Sequence, residues 1–381
     1  MTKPGIEQFV ANLTKYVGNK RIGLVTNPSA VDSRLRSTLD LLAPTGQVTA
    51  LFGLEHGVRG HAQAGEKVAT TIDEKTGLPV FSLYGETRKP TSEMLANVDC
   101  LVFDLQDAGC RFYTYLYSLL YLLEASATAQ LPIVVLDRPN PLGGLTVSGN
   151  ILEEEYISFV GYPIPIRYGL TIGEVALYFN ETRKINAPLT VVKMEDWQRD
   201  YYWAETGLSW IPPSPNIPTP DTALVYPGTC LIEGTNLSEG RGTTRPFELI
   251  GAPWIKGDEL AAELNSFDLG GVIFRPTYFT PTFSKHQGEL CSGVQLHVVD
   301  RLSFNPLSTA IRLLDTVIRN YQEFGFLVPP GKRYFFDLLA GTNRLRGLLN
   351  TRDRSALDHL LEDWQQEAVR FSKERQEFFL Y

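Results

Sequence analysis

The feature that most constrains this chain is a rhythm in its first third. Short, nearly continuous apolar runs, each closed by polar residues, alternate there with stretches of helical spacing. Residues 21–27 (R-I-G-L-V-T-N), 48–54, 100–105 (C-L-V-F-D-L) and 133–136 (I-V-V-L) read as strands, with 78–84 as a further one. Such runs are expected of parallel strands covered on both faces. Residues 33–42 and 113–130 carry helical spacing, and 91–98 suggests a short helix. Strands separated by helices build βαβ units and a mostly parallel sheet. The predicted class is α/β.

Near Gly143 the texture changes. Pro and Gly punctuate 162–165 (Y-P-I-P) and 211–219 (I-P-P-S-P-N-I-P-T), and a Gly-rich segment covers 226–254. Helices are expected at 171–182, 256–265, 306–324 and 356–378, and strands at 189–194, 272–274 and 294–299. We therefore divide the chain into residues 1–145, an α/β domain carrying a cleft at its strand ends, and residues 146–381, a smaller α+β domain whose loops reach that cleft. A length of 381 residues, 43% of them hydrophobic, supplies two cores.

Several functions are excluded early. A formal net charge of −8 removes the phosphate attraction that drives nucleic-acid binding. The longest apolar stretch, 112–123, falls short of the about 20 residues a bilayer span needs. The first residues lack the apolar core of a secretory signal, so a cytoplasmic location is the default expectation, and an extracytoplasmic one applies to a processed chain. Cys100, Cys110, Cys230 and Cys291 are scattered and read as buried thiols. The turn after the first strand, Asn27-Pro28-Ser29-Ala30, has none of the glycines a dinucleotide pyrophosphate requires, and no nucleotide-triphosphate loop occurs. His56 and His61 are not at helical metal-site spacing, and Arg59 lies between them. No G-x-S-x-G elbow is present. No cofactor and no metal are expected.

Carboxylate chemistry remains. Ligands of open α/β sheets bind outside the carboxyl ends of the strands. Those ends carry Asn27; then Glu55, His56 and Arg59; then Asp104, Gln106 and Asp107; then Asp137, Arg138 and Asn140. Glycoside hydrolysis needs a carboxylic acid at the leaving oxygen and a second group for the oxocarbenium-like centre. Glu55, partly desolvated in the Gly-flanked turn F-G-L-E-H-G, is suited to the acid role, unless His56 or Arg59 pairs with it. The candidates for the second carboxylate are Asp107, Glu239 and Asp104, the last of which sits within its strand and also fits a structural acceptor. The loop 233–244 (E-G-T-N-L-S-E-G-R-G-T-T) adds Asn236 and Arg241. Arg59, Arg111, Arg138 and Arg241 are candidates for binding a carboxylate in bidentate fashion. Tyr113, Tyr115, Tyr226, Trp210 and Trp254 offer faces for a sugar ring. The competing assignments are a non-catalytic sugar-binding protein and, disfavoured by the missing glycines, a dehydrogenase.

The stretches G-L-E-H-G-V-R-G (53–60), F-D-L-Q-D-A-G-C-R-F-Y-T-Y (103–115), V-L-D-R-P-N-P-L-G-G (135–144), Y-G-L-T-I-G-E (168–174), P-S-P-N-I-P-T (213–219) and 226–248 complete the pattern. In them the chain resembles the NamZ/YbbC-type exo-β-N-acetylmuramidases, formerly a family of unknown function. The resemblance implies a Rossmann-like N-terminal domain, a smaller C-terminal domain and a cleft between them. It further implies release of N-acetylmuramic acid from the non-reducing ends of peptidoglycan fragments, with the E-H-G glutamate at Glu55. Two positions depart from the family pattern: Tyr168 stands where such sequences often have His, and Cys110 where Ala is usual.

Overall fold

The apolar runs of the first third find their partners in a sheet that is seven-stranded among the described residues. The computed structural model describes residues 1–55, 57–60, 71–84, 87–158, 161–328 and 333–381. The strands are β1 (Ile22–Thr26), β2 (Val48–Gly53), β3 (Thr71–Ile72), β4 (Pro79–Ser82), β5 (Cys100–Asp104), β6 (Ile133–Leu136) and β7 (Leu189–Val192). Their order is β3-β4-β2-β1-β5-β6-β7, parallel except for the edge pair β3–β4. β1, β5 and β6 are buried along their whole length. The two-residue period sends Leu24, Val102 and Val134 to one face, where they meet Ile6, Phe9 and Leu39. Val25, Phe103 and Val135 face the other side and pack with Leu116, Leu120 and Leu123 of the helix Tyr115–Ala129. Each Leu or Phe buried this way contributes about 1.5–3 kcal/mol. With both faces covered, the near-continuous apolar runs are explained.

The chain reverses direction across the sheet between β1, which leads outward to β2, and β5, which leads to β6 and β7. That reversal opens a crevice above the carboxyl ends, which pairing holds level: Thr26 lies beside Asp104, and Val25 beside Phe52. The predicted strand at 189–194 forms as β7 but joins this sheet, parallel to β6. The sheet thus continues past residue 145.

Two expected helices differ. Residues 92–97 form turns, because a segment bounded by Pro90 and the Asn97–Asp99 pair is too short to sustain nucleation. In 33–42 only Thr38–Leu42 is helical; Asp32 instead folds the preceding residues into a turn by accepting the backbone N–H groups of Arg34 and Arg36 at 2.9 and 2.8 Å. Ser37 then caps the helix through the Asp40 N–H.

The second domain is an antiparallel sheet of β8 (Leu249–Ala252), β9 (Val272–Phe279) and β10 (Cys291–Val298), in the order β8-β10-β9. It packs with helices Gly257–Ser266 and Pro306–Asn320, and Arg354–Glu374 runs back toward the first domain. Two arginines tie the halves together. Arg111, fully buried, donates to the carbonyls of Asn150, Ile164, Leu339 and Ala340. Arg375 donates to those of Gly144, Leu145, Tyr168 and Gly169. Beyond it, Leu380 N–H reaches Glu174 and the Tyr381 hydroxyl reaches Asp137, both at 2.8 Å. Among the described residues no helix is long and apolar enough to cross a membrane.

Candidate active site

An open cleft of about 390 Å³ lies where the carboxyl edge of the sheet meets the second domain. The first domain supplies Glu55, just past β2, and Phe112 to Tyr115, which lead from β5 into the helix Tyr115–Ala129. Ser214, Asn216 and Ile217 come from the Pro-rich loop, and Tyr226, Arg241 and Phe247 from the segment that follows. Tyr113, Tyr226 and Phe247 meet edge to face, with ring centroids 6.3 and 4.8 Å apart. Aromatic edges and faces around a polar floor suit a pyranose ring, which is apolar on its faces and hydroxylated at its rim.

Glu55 is held by both oxygens. The Tyr84 hydroxyl donates to Oε1 at 3.0 Å, and the Thr114 hydroxyl to Oε2 at 2.7 Å. Gly57, at φ 73°, returns its N–H to Leu54 at 2.9 Å and closes the tight turn that turns Glu55 out of the sheet. Burial and the nearby Glu55 charge push the Tyr84 phenol up to about 12, so it stays a donor. Behind Glu55, Tyr115 donates to the Pro213 carbonyl at 2.8 Å and accepts from Asn27 at 2.8 Å. Asn27 therefore braces the wall of the cleft.

Arg241 brings the positive charge. Its Nη2 lies 3.2 Å from Glu233 and its Nε 3.3 Å from Glu239. Nη1 makes no hydrogen bond among the described residues. Burial works against the guanidinium charge, but the two glutamates outweigh it and raise its pKa. Burial also raises the Glu233 carboxyl, against the pull of Arg241.

The other residues singled out in the sequence sit elsewhere. Asp104 is fully buried and forked by Arg138 at 2.5 and 2.9 Å. That pair is closed within the sheet: Asp104, a candidate for the second carboxylate or a structural acceptor, and Arg138, a candidate carboxylate binder, are spent on each other and neither lines the cleft. Asp137 accepts from the N–H groups of Gly173 and Arg138 and from the hydroxyls of Thr171 and Tyr381; burial pushes it up to about 6. Asn140 is spent on Leu170 and Leu142, and Asn236 on Glu323 and Gly325. Arg111 cross-links carbonyls, and exposed Arg59 forms a bidentate pair with Asp73, so neither lines the cleft. Gln106 donates to the carbonyls of Asp107 and Pro139 and borders a separate crevice with Arg138. Trp210 packs on Trp203 and Trp254 on Tyr321. His56 and His61 lie outside the described residues.

Asp107 and Glu239 are intermediate cases. Asp107 is buried beneath the aromatic wall, accepting from Gly109 N–H at 2.7 Å and from the Tyr168 hydroxyl. Its Oδ1 has no hydrogen-bond partner among the described residues, and burial pushes the carboxyl up to about 6. The departure at Tyr168 thus supplies the phenol that holds Asp107. Glu239 is 2% exposed and pairs with Lys285 at 2.7 Å as well as with Arg241. Tyr84, Thr114 and Lys285 were not singled out from the sequence, and Ser214 and Asn216 were visible there only as part of P-S-P-N-I-P-T.

Fold and cleft together define a two-domain α/β protein whose candidate site lies at the carboxyl edge of a parallel sheet and is completed by a second-domain loop. The chain belongs to the NamZ exo-β-N-acetylmuramidase family: residues 22–221 match its N-terminal domain and residues 224–381 its C-terminal domain. It is 51% identical over 380 residues to the peptidoglycan β-N-acetylmuramidase NamZ of Bacillus subtilis strain 168, covering 99% of this chain and 91% of that protein. Crystal structures of two DUF1343 family proteins from Bacteroides fragilis NCTC 9343 superpose with TM-scores of 0.90 and 0.80, at 38% and 32% identity. Each comparison covers 100% of this chain and 99% of the other.

Proposed function

We propose that the protein hydrolyses the β-glycosidic bond of N-acetylmuramic acid at the non-reducing ends of peptidoglycan fragments, with Glu55 as the general acid. The observation that carries this reading is that Glu55 is the only carboxylate among the described residues lining the cleft. Its carboxyl is fixed in position by two hydroxyls, Tyr84 and Thr114, within reach of a substrate in the cleft. With Asp104 committed to Arg138, Glu239 to Arg241 and Lys285, and Asp107 buried on Tyr168 and Gly109 outside the cleft lining, the 2-acetamido oxygen of the sugar is the better nucleophile toward C1. In that sequence Glu55 gives its proton to the leaving oxygen as the acetamido oxygen closes on C1. The resulting carboxylate then takes a proton from the water that reopens the ring.

The muramyl sugar differs from N-acetylglucosamine by a lactyl ether bearing a carboxylate. Of the four arginines considered, Arg241 is the one that lines the cleft, so we assign it to that group.

The test is steady-state hydrolysis of β-N-acetylmuramyl-(1→4)-N-acetylglucosamine and of a nitrophenyl β-N-acetylmuramide. Glu55→Gln should cost about 10²–10⁴-fold in kcat on the disaccharide, whose leaving group needs the proton. The loss should be smaller on the nitrophenyl glycoside. Near-normal kcat on the disaccharide would remove Glu55 from the acid role.

A further inference from the structure

The second domain approaches the cleft through a loop whose geometry the cleft itself does not require. Residues 280–290, between β9 and β10, fold back over the Gly240–Gly242 turn. The Thr282 backbone and hydroxyl both donate to the Gly242 carbonyl at 2.9 Å. Gly242 sits at φ 80°, and a Cβ there would stand 2.7 Å from the Phe283 backbone, so only glycine permits the contact. Ser284 and His286 hold φ values of 70° and 56°, an unfavourable conformation for side-chain-bearing residues that recurs where a neighbouring group must be placed. Here the neighbour is Lys285.

Lys285 projects its ammonium onto three oxygens: the carbonyls of Ile232 and Thr235 at 2.9 Å each, and Glu239 at 2.7 Å. Glu239 in turn holds the Nε of Arg241, whose other edge meets Glu233. The half-buried cluster therefore sets two carboxylates against two cations. Without Lys285, Glu233 and Glu239 would outnumber Arg241, and the charge facing an incoming anion would be net negative. At short range inside a protein, one such charge is felt strongly.

We propose that Lys285 is a specificity-determining residue: by neutralising Glu239 it leaves Arg241 able to present its free Nη1 edge to the carboxylate of a muramyl substrate. This rests on the assignment of Arg241 made above. Glu239 orients Arg241, Lys285 cancels the charge of Glu239, and the loop 280–290 holds Lys285 in place. The function lies in charge balance, so it is separable from simple bracing of the loop.

The experiment compares kcat and KM for nitrophenyl β-N-acetylmuramide and nitrophenyl β-N-acetylglucosaminide in Arg241→Met, Lys285→Met, Lys285→Arg and the double variant Lys285→Met/Glu239→Gln, with Tm recorded for each. Lys285→Met should raise KM for the muramide on the order of 10- to 100-fold, with kcat and the glucosaminide little changed. Lys285→Arg should restore most of the loss. The double variant, which removes one charge of each sign, should also recover muramide KM, and it carries the test if the single variant does not fold. Equal losses on both sugars, or a double variant as impaired as Arg241→Met, would overturn the proposal. If Arg241→Met leaves the preference between the sugars intact, the assignment of Arg241 falls and this inference with it. If Arg241→Met abolishes the preference while the Lys285 variants keep it, only the role of Lys285 falls.

Discussion

The carboxyl edge of the parallel sheet and the loop 233–241 both concentrate charge beside the cleft, yet they use it in opposite ways. At the sheet edge, Asp104 faces Arg138 and Thr38, and Asp137 faces two hydroxyls and two backbone N–H groups. Both carboxylates are turned inward and answered by neighbours. In the loop, the glutamates and Lys285 are also answered, but Arg241 lines the cleft and its Nη1 makes no hydrogen bond among the described residues. Position along the chain explains the contrast. The last residue of a doubly covered strand is still inside the protein, whereas Glu55, two residues beyond Gly53, has left the sheet. Past β5 and β6 the chain stays inside, with Gln106, Asp137 and Arg138 all buried, so of these strand ends it is the one after β2 that delivers a carboxylate to the cleft.

If this division is right, breaking the sheet-edge pair should cost stability and spare chemistry. Arg138→Met leaves Asp104 buried without its counter-charge and should lower the unfolding free energy by about 3–5 kcal/mol, read from urea denaturation. The kcat of the folded fraction should stay within a few-fold of wild type. A collapse of kcat at unchanged stability would place Arg138 with the cleft instead.

A smaller effect sharpens the same point through pH. Asp137 is pushed from 3.8 to about 6 by burial, so the folded state binds its proton more tightly than the unfolded chain does. Its contribution to stability is fully present below about pH 4 and is lost as pH rises through about 6, a swing of about 3 kcal/mol. Asp137→Asn keeps the acceptor and should flatten that part of the stability–pH profile between pH 4 and 7. An unchanged slope would show that another group titrates there.

The smallest effect is expected at Arg59, whose pair with Asp73 is 40% exposed on the arginine side. Arg59 holds Asp73 down to about 2, so the stability it lends is present above about pH 4 and lost as pH falls toward 2. Arg59→Met should cost no more than about 1 kcal/mol at neutral pH, with muramide kinetics unchanged. A raised KM would bring Arg59 into the substrate site.

The sheet was legible because strands buried on both faces leave runs such as I-V-V-L that little else produces. The strand 189–192 was legible as a strand, but its place beside β6 depends on a partner more than fifty residues away in sequence. Pro and Gly content marked the loop-rich stretch after Gly143, which begins before the sheet is complete. In the site, Glu55, Tyr113 and Arg241 stood out because acids, aromatics and arginines do so beside glycines. Arg111 carried the same signal, yet its guanidinium is consumed by Leu339 and Ala340, which no local pattern connects to it. The hydroxyls of Tyr84 and Thr114 carry no signal of their own; only the packing brings them to Glu55.

The strap formed by Arg375, Leu380 and Tyr381 carries a consequence for how the molecule is made. Synthesis delivers these residues after every strand of both sheets, yet they supply one more donor to Asp137, one to Glu174 beside Arg199, and donors to four carbonyls of the first half. Until they arrive, Asp137 and Glu174 keep their contacts with Thr171, Gly173 and Arg199, and the four carbonyls lack their Arg375 donor. The 22–221 unit, self-contained as a stretch of sequence, is completed by side chains from outside it. Residues 375–381 act as a latch that closes over the top layer of the sheet.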